Sequence, residues 1–204
     1  HEHIVIDHST ASDRYPAFLL NEPDRIVREL RAFRAAGGAS MIDSMPCDCG
    51  RNAALQAEVS RKSGVRIVVP TGLHLPQYYD SGHWSFHYNV DQLTELFVAD
   101  VITGIDRMDY SGPLVERLEN RAGLIKIATG PAFTPREERV FAAAAEAHRR
   151  TGVPILTHTE QGELRMEQAE RLSALGVDLS RVTLSHLDRK PDPAYHRDVL
   201  STGV

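Results

Sequence analysis

The chain has 204 residues, of which 42% are hydrophobic and 25% are charged, with 14 glycines and 11 prolines. These proportions exclude a disordered, low-complexity or collagen-like chain. The formal net charge of −5 provides no basic surface for nucleic acid or an anionic membrane, and no apolar run reaches the ~18 residues that span a bilayer.

The first half of the chain alternates short apolar strands with amphipathic helices. Helices are predicted where apolar residues recur at helical spacing and glycine ends the pattern. The predicted strands are 1–7, 39–45 and 65–71, and the predicted helices are 24–36, 52–63 and 90–103, with a further short helix at 113–120. A long loop at 72–89 is rich in histidine, tyrosine and proline.

The second half continues the same alternation. Residues 134–137 form a capping box with proline at the first helical position, which predicts a helix that runs to about Arg150. The other predicted helices are 162–175 and 193–201, and the predicted strands are 122–129, 153–160 and 182–188. Residues 202–204 are interpreted as the start of a further strand.

Strands that alternate with helices through short connections predict parallel strands with right-handed crossovers. Two architectures satisfy this pattern, a doubly wound sheet and a (β/α)8 barrel. The sequence provides about six strands, whereas a complete barrel usually takes ~250 residues. If the fold is a barrel, we therefore expect it to be incomplete at both ends of this chain, with strands missing from its wall.

The cysteines are Cys47 and Cys49, too few for a disulfide scaffold. They lie two positions apart in one short loop, so we expect reduced thiols rather than a bridge, a redox pair or a metal pair. No signal-peptide pattern opens the chain. These features favour a cytoplasmic protein with a small-molecule substrate and no nucleic-acid or membrane partner, and a homodimer is the oligomer considered.

Side chains that bind metals or titrate lie near the ends of four predicted strands: His1, His3, Lys126, His158 and His186. Because residues two apart in a strand share a face, His1 and His3 project together and are able to chelate one metal. The same alternation points Lys126 into the interior if the isoleucines on either side of it pack under helices. In α/β barrels the C-terminal ends of the strands carry catalysis.

Lys126 lies in an apolar strand, where desolvation disfavours the charged ammonium. A neutral amine is able to add carbon dioxide and become a carbamate, whose oxygens can bridge two divalent cations. Four histidines with such a bridge suit zinc, manganese, iron or nickel. Each residue also has an ordinary interpretation, because strand lysines extend to sheet edges and strand-end histidines are often hydrogen-bonded core residues. The conjunction of all five favours a shared site.

The stretches HEHIVID at 1–7, GRN at 50–52, LIKIATG at 124–130, PILTHTE at 154–160 and SHLDRKPD at 185–192 occur in this order. In order and spacing they resemble the phosphotriesterase family of the amidohydrolase superfamily. The resemblance implies a (β/α)8 TIM barrel with a binuclear metal centre. It also implies that residues 1–204 are one barrel domain, incomplete at both ends, with about six of eight strands.

The metal ligands that the resemblance implies are His1, His3, Lys126, His158 and His186. The first two histidines would hold the more buried ion and the last two the more exposed ion, bridged by carboxylated Lys126 and a hydroxide. Zinc is the expected metal, with manganese, iron, nickel or cobalt as alternatives. The family's sixth ligand is an aspartate on the eighth strand that also acts as general base. No residue here matches it, so it is expected beyond Val204.

The long loop after the third strand is expected to shape the substrate pocket. Its candidate residues are His74, Tyr78, Tyr79, His83, Trp84 and His87. Tyr78 and, after the sixth strand, Arg189 are the expected substrate contacts. The alternatives are a solvated aromatic flap and a structural salt bridge.

The resemblance implies a hydrolase in which the bridging hydroxide attacks an ester-type bond. Residues 185–192 resemble the branch that acts on lactones of phosphorylated sugars, so a sugar lactone is the expected substrate and a phosphotriester the alternative. A barrel relative that has lost catalysis is a further alternative, supported only by the unmatched aspartate. A deacetylase or deaminase of the superfamily is disfavoured by Lys126.

Overall fold

A computed structural model describes residues 2–204. Its helices are α1 (Thr10–Arg14), α2 (Pro23–Ala35), α3 (Ala53–Ser63), α4 (Val90–Ile102), α5 (Pro135–Thr151), α6 (Arg165–Ala174) and α7 (Pro193–Ser201). Its strands are β1 (Ser40–Ile42), β2 (Arg66–Val68), β3 (Pro70–Gly72), β4 (Leu124–Ala128), β5 (Ile155–His158) and β6 (Val182–Leu184). Short 3-10 helices lie at Pro16–Phe18, Pro76–Tyr78, Trp84–Phe86, Leu179–Arg181 and Leu187–Arg189.

All strand pairs are parallel, as the alternation of strands and helices predicts. β1 pairs with β2, and β3 to β6 pair in sequence order. β2 and β3 are separated only by Val69, so the predicted strand 65–71 is one extended stretch whose first half pairs with β1 and whose second half pairs with β4. This stretch links the two sheets into one wall. Within residues 2–204 the strand pairing does not close that wall into a barrel.

The two faces of β4 have different surroundings. Ile125 and Ile127 pack with Phe97 of α4 and Phe141 of α5 in the largest hydrophobic cluster. Because side chains alternate along a strand, Lys126 projects from the other face, and it is fully buried there. The orientation predicted from the sequence is therefore confirmed, with the helices outside and Lys126 inside the wall.

β3 approaches β4 closely at Gly72, which pairs with Lys126. The backbone of Gly72 has φ +105°, and a Cβ atom there would lie 1.9 Å from the carbonyl oxygen of Lys126. Only glycine fits this position, because the conformation and the space both exclude a side chain. Gly72 thus permits the strand contact that fixes the backbone of Lys126.

The helix predicted at 113–120 is wrong. The chain there is extended and irregular, and Arg117 forms an isolated antiparallel bridge with Asp106. Leu114 and Val115 are 80% and 55% exposed, so a helix would have no apolar face to bury. Instead the carboxylate of Asp106 accepts hydrogen bonds from the backbone N–H groups of Tyr110 and residue 116. These two N–H groups therefore have partners without a helix.

Both predicted terminal strands also differ from the structure. In the described part of 1–7, only the isolated bridges of Glu2 with Asp43 and of Ile6 with Leu20 occur. Residues 202–204 form a turn after α7 because the backbone N–H of Thr202 bonds back to Val199. The capping box at 134–137 and the helix at 193–201 are confirmed. No helix within residues 2–204 is both long and apolar enough to cross a membrane.

Candidate active site

A cavity of about 380 Å³ lies where the strands end. Its lining brings together three of the four predicted metal-binding histidines, His3, His158 and His186, with the loop residue His74. The rings of His158 and His186 have centroids 4.7 Å apart, and those of His74 and His158 are 5.0 Å apart. Residues from distant parts of the sequence therefore form one imidazole cluster. His1 lies outside the described residues.

Lys126 belongs electrostatically to this cluster. Burial lowers the pKa of its amine to about 7, so much of it is neutral near physiological pH. Burial first, and then the positive charge of Lys126, lower the pKa of His3 to about 4 and that of His158 to about 3. Burial also lowers the pKa of His74, followed by His158 and Lys126, and burial and then Lys126 lower the pKa of His186. The imidazoles are therefore neutral, which is the state that binds metals.

Asp43 holds the backbone that follows His3. The Asp43 Oδ2 atom accepts hydrogen bonds from the N–H groups of Ile4 at 3.2 Å and Val5 at 2.9 Å, and from Gln56 Nε2 at 2.7 Å. The residue is completely buried, and burial raises the pKa of its carboxyl to about 6. Sequence reasoning gave Asp43 no place in the site, although an acidic residue inside an apolar stretch was a signal that could have found it.

Two further polar residues fix the strand ends that carry His158 and His186. Gln168 of α6 donates from Nε2 to the carbonyl oxygen of His158 at 2.9 Å and to Thr129 Oγ1 at 2.6 Å. The hydroxyl of Thr159 donates to the carbonyl oxygen of Ser185 at 2.6 Å. The ends of β4, β5 and β6 are thus tied to one another beside the histidines.

The loop residues are divided between the cavity and the protein core. Tyr78 lines the cavity and meets His74 edge-on, with ring centroids 4.6 Å apart. Arg189 also lines it and is exposed. In contrast, His83 is bound to Asp48 at 2.9 Å and to a serine hydroxyl, so it has a structural role. The remaining candidates lie elsewhere: Tyr79 is buried beside Cys47, Trp84 packs on Tyr110, and His87 is exposed.

The donor set fits a metal by its chemistry. Neither ring nitrogen of His158 has a hydrogen-bond partner among the described residues, although both atoms are buried, and the Glu160 carboxylate lies 3.6 Å from Nε2. In the neutral ring one of the two nitrogens carries a lone pair that is available to a metal. Within residues 2–204, no three His, Cys, Asp or Glu side chains lie close enough to hold an ion by themselves. The predicted ligand set is of another kind, because it includes Lys126 as well as His1. Its nitrogen donors suit zinc and its neighbours in the transition series.

A second buried polar cluster surrounds Arg51 of the GRN stretch. Its guanidinium donates to Asp109 Oδ1 from Nε at 2.8 Å and to Asp100 Oδ2 from Nη1 at 2.8 Å. Asp100 is fully buried and also accepts from Thr71 Oγ1 at 2.9 Å and Arg117 Nη1 at 2.9 Å. The sequence did not predict these partners. Buried charges of opposite sign pair directly here, whereas the imidazole cluster has the Glu160 carboxylate only at its edge, 3.6 Å from His158.

The sequence and the fold of this chain are similar to those of known proteins. Residues 1–204 match the phosphotriesterase family. A phospho-furanose lactonase from Mycoplasmopsis agalactiae is 31% identical over 209 residues, which cover 100% of this chain and 59% of the relative. The crystal structure of an amidohydrolase from Mycoplasma synoviae superposes with a TM-score of 0.95 at 29% identity, over 100% of this chain and 60% of that chain.

The structure of a lactonase from Listeria monocytogenes superposes with a TM-score of 0.89 at 29% identity, over 100% of this chain and 64% of that chain. These likenesses confirm the predicted TIM-barrel fold. The chain spans about three fifths of the length of the relatives it matches.

Proposed function

Because this chain belongs to the phosphotriesterase family over residues 1–204, we propose that the whole protein is a metal-dependent hydrolase that cleaves ester bonds. The proposed substrate is the lactone of a sugar, with phosphorylated furanose lactones first. The lactonase names of the relatives from Mycoplasmopsis agalactiae and Listeria monocytogenes support this choice. The family name keeps a phosphotriester as the second candidate.

The single observation that carries the proposal is the burial of Lys126 beside neutral imidazoles. A lysine with 0% exposure is costly to keep charged, and burial lowers its pKa to about 7. Its neutral amine adds to the carbon of carbon dioxide: a C–N bond forms, one C=O π bond opens to place the electron pair on oxygen, and an N–H proton leaves to solvent. The product is a carbamate anion at the interior face of β4.

We propose that carbamylated Lys126, His3, His158 and His186, with His1, hold two divalent ions. When bound, such ions supply a water of lowered pKa and polarise the bond to be cleaved. Other residues of the chain position these ligands. Asp43 accepts hydrogen bonds from the backbone that follows His3, and Gln168 donates one to the carbonyl of His158. Arg189 and Tyr78 line the cavity where the substrate is expected to bind.

The test is a hydrolysis screen of the whole protein loaded with zinc or manganese. The substrates are phosphorylated and unphosphorylated sugar lactones, together with an aryl phosphotriester. We expect the highest kcat/KM for a lactone and a much lower value for the Lys126→Ala variant. Hydrolysis of none of these substrates, in a preparation that binds its metal, would refute the proposal.

A further inference from the structure

An aromatic group of three side chains borders the cavity, and only one of them, Tyr78, is a substrate contact in the function proposed above. Tyr15 and Phe18 stack with ring centroids 5.1 Å apart, and they approach the Tyr78 ring at 5.9 Å and 6.4 Å respectively. Phe18 and Tyr78 line the cavity. Tyr15 and Phe18 remain 41% and 39% exposed, so they are not core residues. We call these three side chains the aromatic wall.

Polar contacts hold together the two segments that form the wall. Arg14, at the end of α1, donates from Nη1 to the carbonyl oxygen of Tyr79 at 3.1 Å and forms an ion pair with Asp80 at 3.3 Å. Thr10 Oγ1 donates to the other oxygen of Asp80 at 2.9 Å. Residues 10–18 are thereby fixed against the turn at Pro76–Tyr78. The aromatic wall is therefore an ordered surface, because hydrogen bonds and an ion pair hold both of its segments beside the cavity.

The wall offers a different kind of contact from the rest of the cavity. His158 and His186 supply nitrogen donors, and Glu160 and Arg189 supply charge. Aromatic faces instead attract rings and C–H groups. They offer a large contact area, and aromatic side chains lose little conformational entropy when a ligand binds. Ligand pockets typically combine such apolar faces with a few polar groups that act on the reacting bond.

We propose that the aromatic wall is the specificity surface of this active site and binds the uncharged ring of a cyclic ester. The inference rests on the proposed function and deepens it, because it explains why a lactone would be preferred to an open-chain ester. A lactone carries its scissile bond within a ring, so the ring can lie against Phe18 and Tyr78 while the ester faces the histidines. A small acyclic ester has no ring to place there.

The experiment compares Phe18→Ala and Tyr15→Ala with the wild-type whole protein on a five-membered sugar lactone and on methyl acetate. Loss of one aromatic contact should raise KM for the lactone about tenfold and change kcat by less than about twofold. The KM for methyl acetate should stay constant. Tyr15→Phe should behave as wild type, because it keeps the ring.

Leu114→Ala is the matched control, since Leu114 is 80% exposed on a different segment. Equal effects of Phe18→Ala on both esters, or no effect on either, would overturn the proposal. If the wild type hydrolyses neither ester, the proposed function fails. Calorimetric binding of the sugar lactone to wild type and Phe18→Ala then decides the wall separately: weaker binding to the variant supports it, whereas equal binding or no binding to either protein overturns it.

The polar contacts of Arg14 that hold the aromatic wall provide an independent check. Arg14→Gln removes the ion pair with Asp80 without touching the aromatic rings. We expect a smaller rise in the lactone KM than for Phe18→Ala, and no further rise when both changes are combined. Additive effects would show that Arg14 does not act through the wall.

Discussion

The buried polar clusters around Arg51 and around Lys126 reduce the free-energy cost of burying charge in opposite ways. Around Arg51, a guanidinium lies between the carboxylates of Asp100 and Asp109, so charges of opposite sign offset one another. Burial lowers the pKa of Arg51, but the neighbouring acidic groups raise it well above its ordinary value. Around Lys126, burial lowers the pKa of the amine, and burial and then neighbouring positive groups lower those of the histidines.

The difference indicates what each cluster is for. Among the described residues the charges of the Arg51 cluster are paired, and they tie the segment before α3 to α4 and to the segment after α4. The Lys126 cluster gathers nitrogen atoms, and nitrogens that are kept neutral are ready to bind a cation. A buried cluster of matched charges thus indicates a structural role, whereas a buried cluster of neutral nitrogen ligands indicates a binding site. The following changes test this distinction.

Lys126→Ala should have the largest effect on activity. Without the carbamate, two ions in one site repel each other, and we expect kcat/KM to fall more than ~100-fold. Added acetate or propionate should restore part of the activity by filling the vacated volume. Lys126→Arg should stay inactive, because a guanidinium remains protonated and cannot form a carbamate. Full activity of Lys126→Ala without added acid would show that Lys126 is a packing residue.

Arg51→Met should have the largest effect on stability. The change leaves the Asp100 and Asp109 carboxylates buried without their main cation, and breaking a buried pair costs about 3–5 kcal/mol. Urea unfolding of the whole protein measures this loss. Arg107→Ala is the control, because Arg107 and Glu116 form an exposed pair at 2.8 Å worth less than ~1 kcal/mol. Similar losses in both variants would contradict the structural role of the Arg51 cluster.

Asp43→Asn should have an intermediate effect, seen in metal affinity. The amide retains one acceptor but loses the carboxylate that binds two consecutive N–H groups after His3. Residues that orient metal ligands contribute about 10–100-fold to affinity. Competition with a chromogenic chelator measures that affinity, and Asp24→Asn on the exposed side of α2 serves as the control. An unchanged affinity would remove Asp43 from the site.

Thr159→Val should have the smallest effect. The variant keeps the shape of the side chain and loses two hydrogen bonds, the one to the carbonyl of Ser185 and the one from the N–H of Gly162. A neutral hydrogen bond contributes about 1 kcal/mol to stability. We expect a loss of that size for each of the two bonds in thermal unfolding, with metal binding nearly intact. A loss of metal from Thr159→Val would mean that the tie between β5 and β6 matters more to the histidines than to the fold.

Local patterns in the sequence predicted the elements that local chemistry determines. The capping box at 134–137 begins α5, and the alternation in β4 correctly places Lys126 opposite the two isoleucines. The short helix α1 was missed, because its five residues carry no apolar stripe. The helix predicted at 113–120 fails for a tertiary reason, since the carboxylate of Asp106 supplies an alternative set of hydrogen bonds.

The candidate site shows the same division between features that local sequence patterns predict and features that tertiary contacts decide. The histidines and Lys126 were recognisable because strand ends bring metal-binding residue types to one edge. The residues that hold them were not recognisable, because Gln168 acts from a helix 39 positions away from Thr129, and Asp43 acts 39 positions from Ile4. Contacts of this kind exist only after the chain has folded. A single sequence therefore predicts which residues meet at such a site better than it predicts the residues that hold them in place.

The central claim is that the neutral nitrogen cluster around Lys126 is a divalent metal site. Anomalous diffraction at the zinc edge, from crystals of the zinc-loaded whole protein, tests it most directly. We expect anomalous peaks ~2.0–2.1 Å from nitrogens of His158 and His186, with carbamate density on Lys126 between two ions. An unmodified Lys126 amine with no anomalous peak near either histidine would contradict the claim.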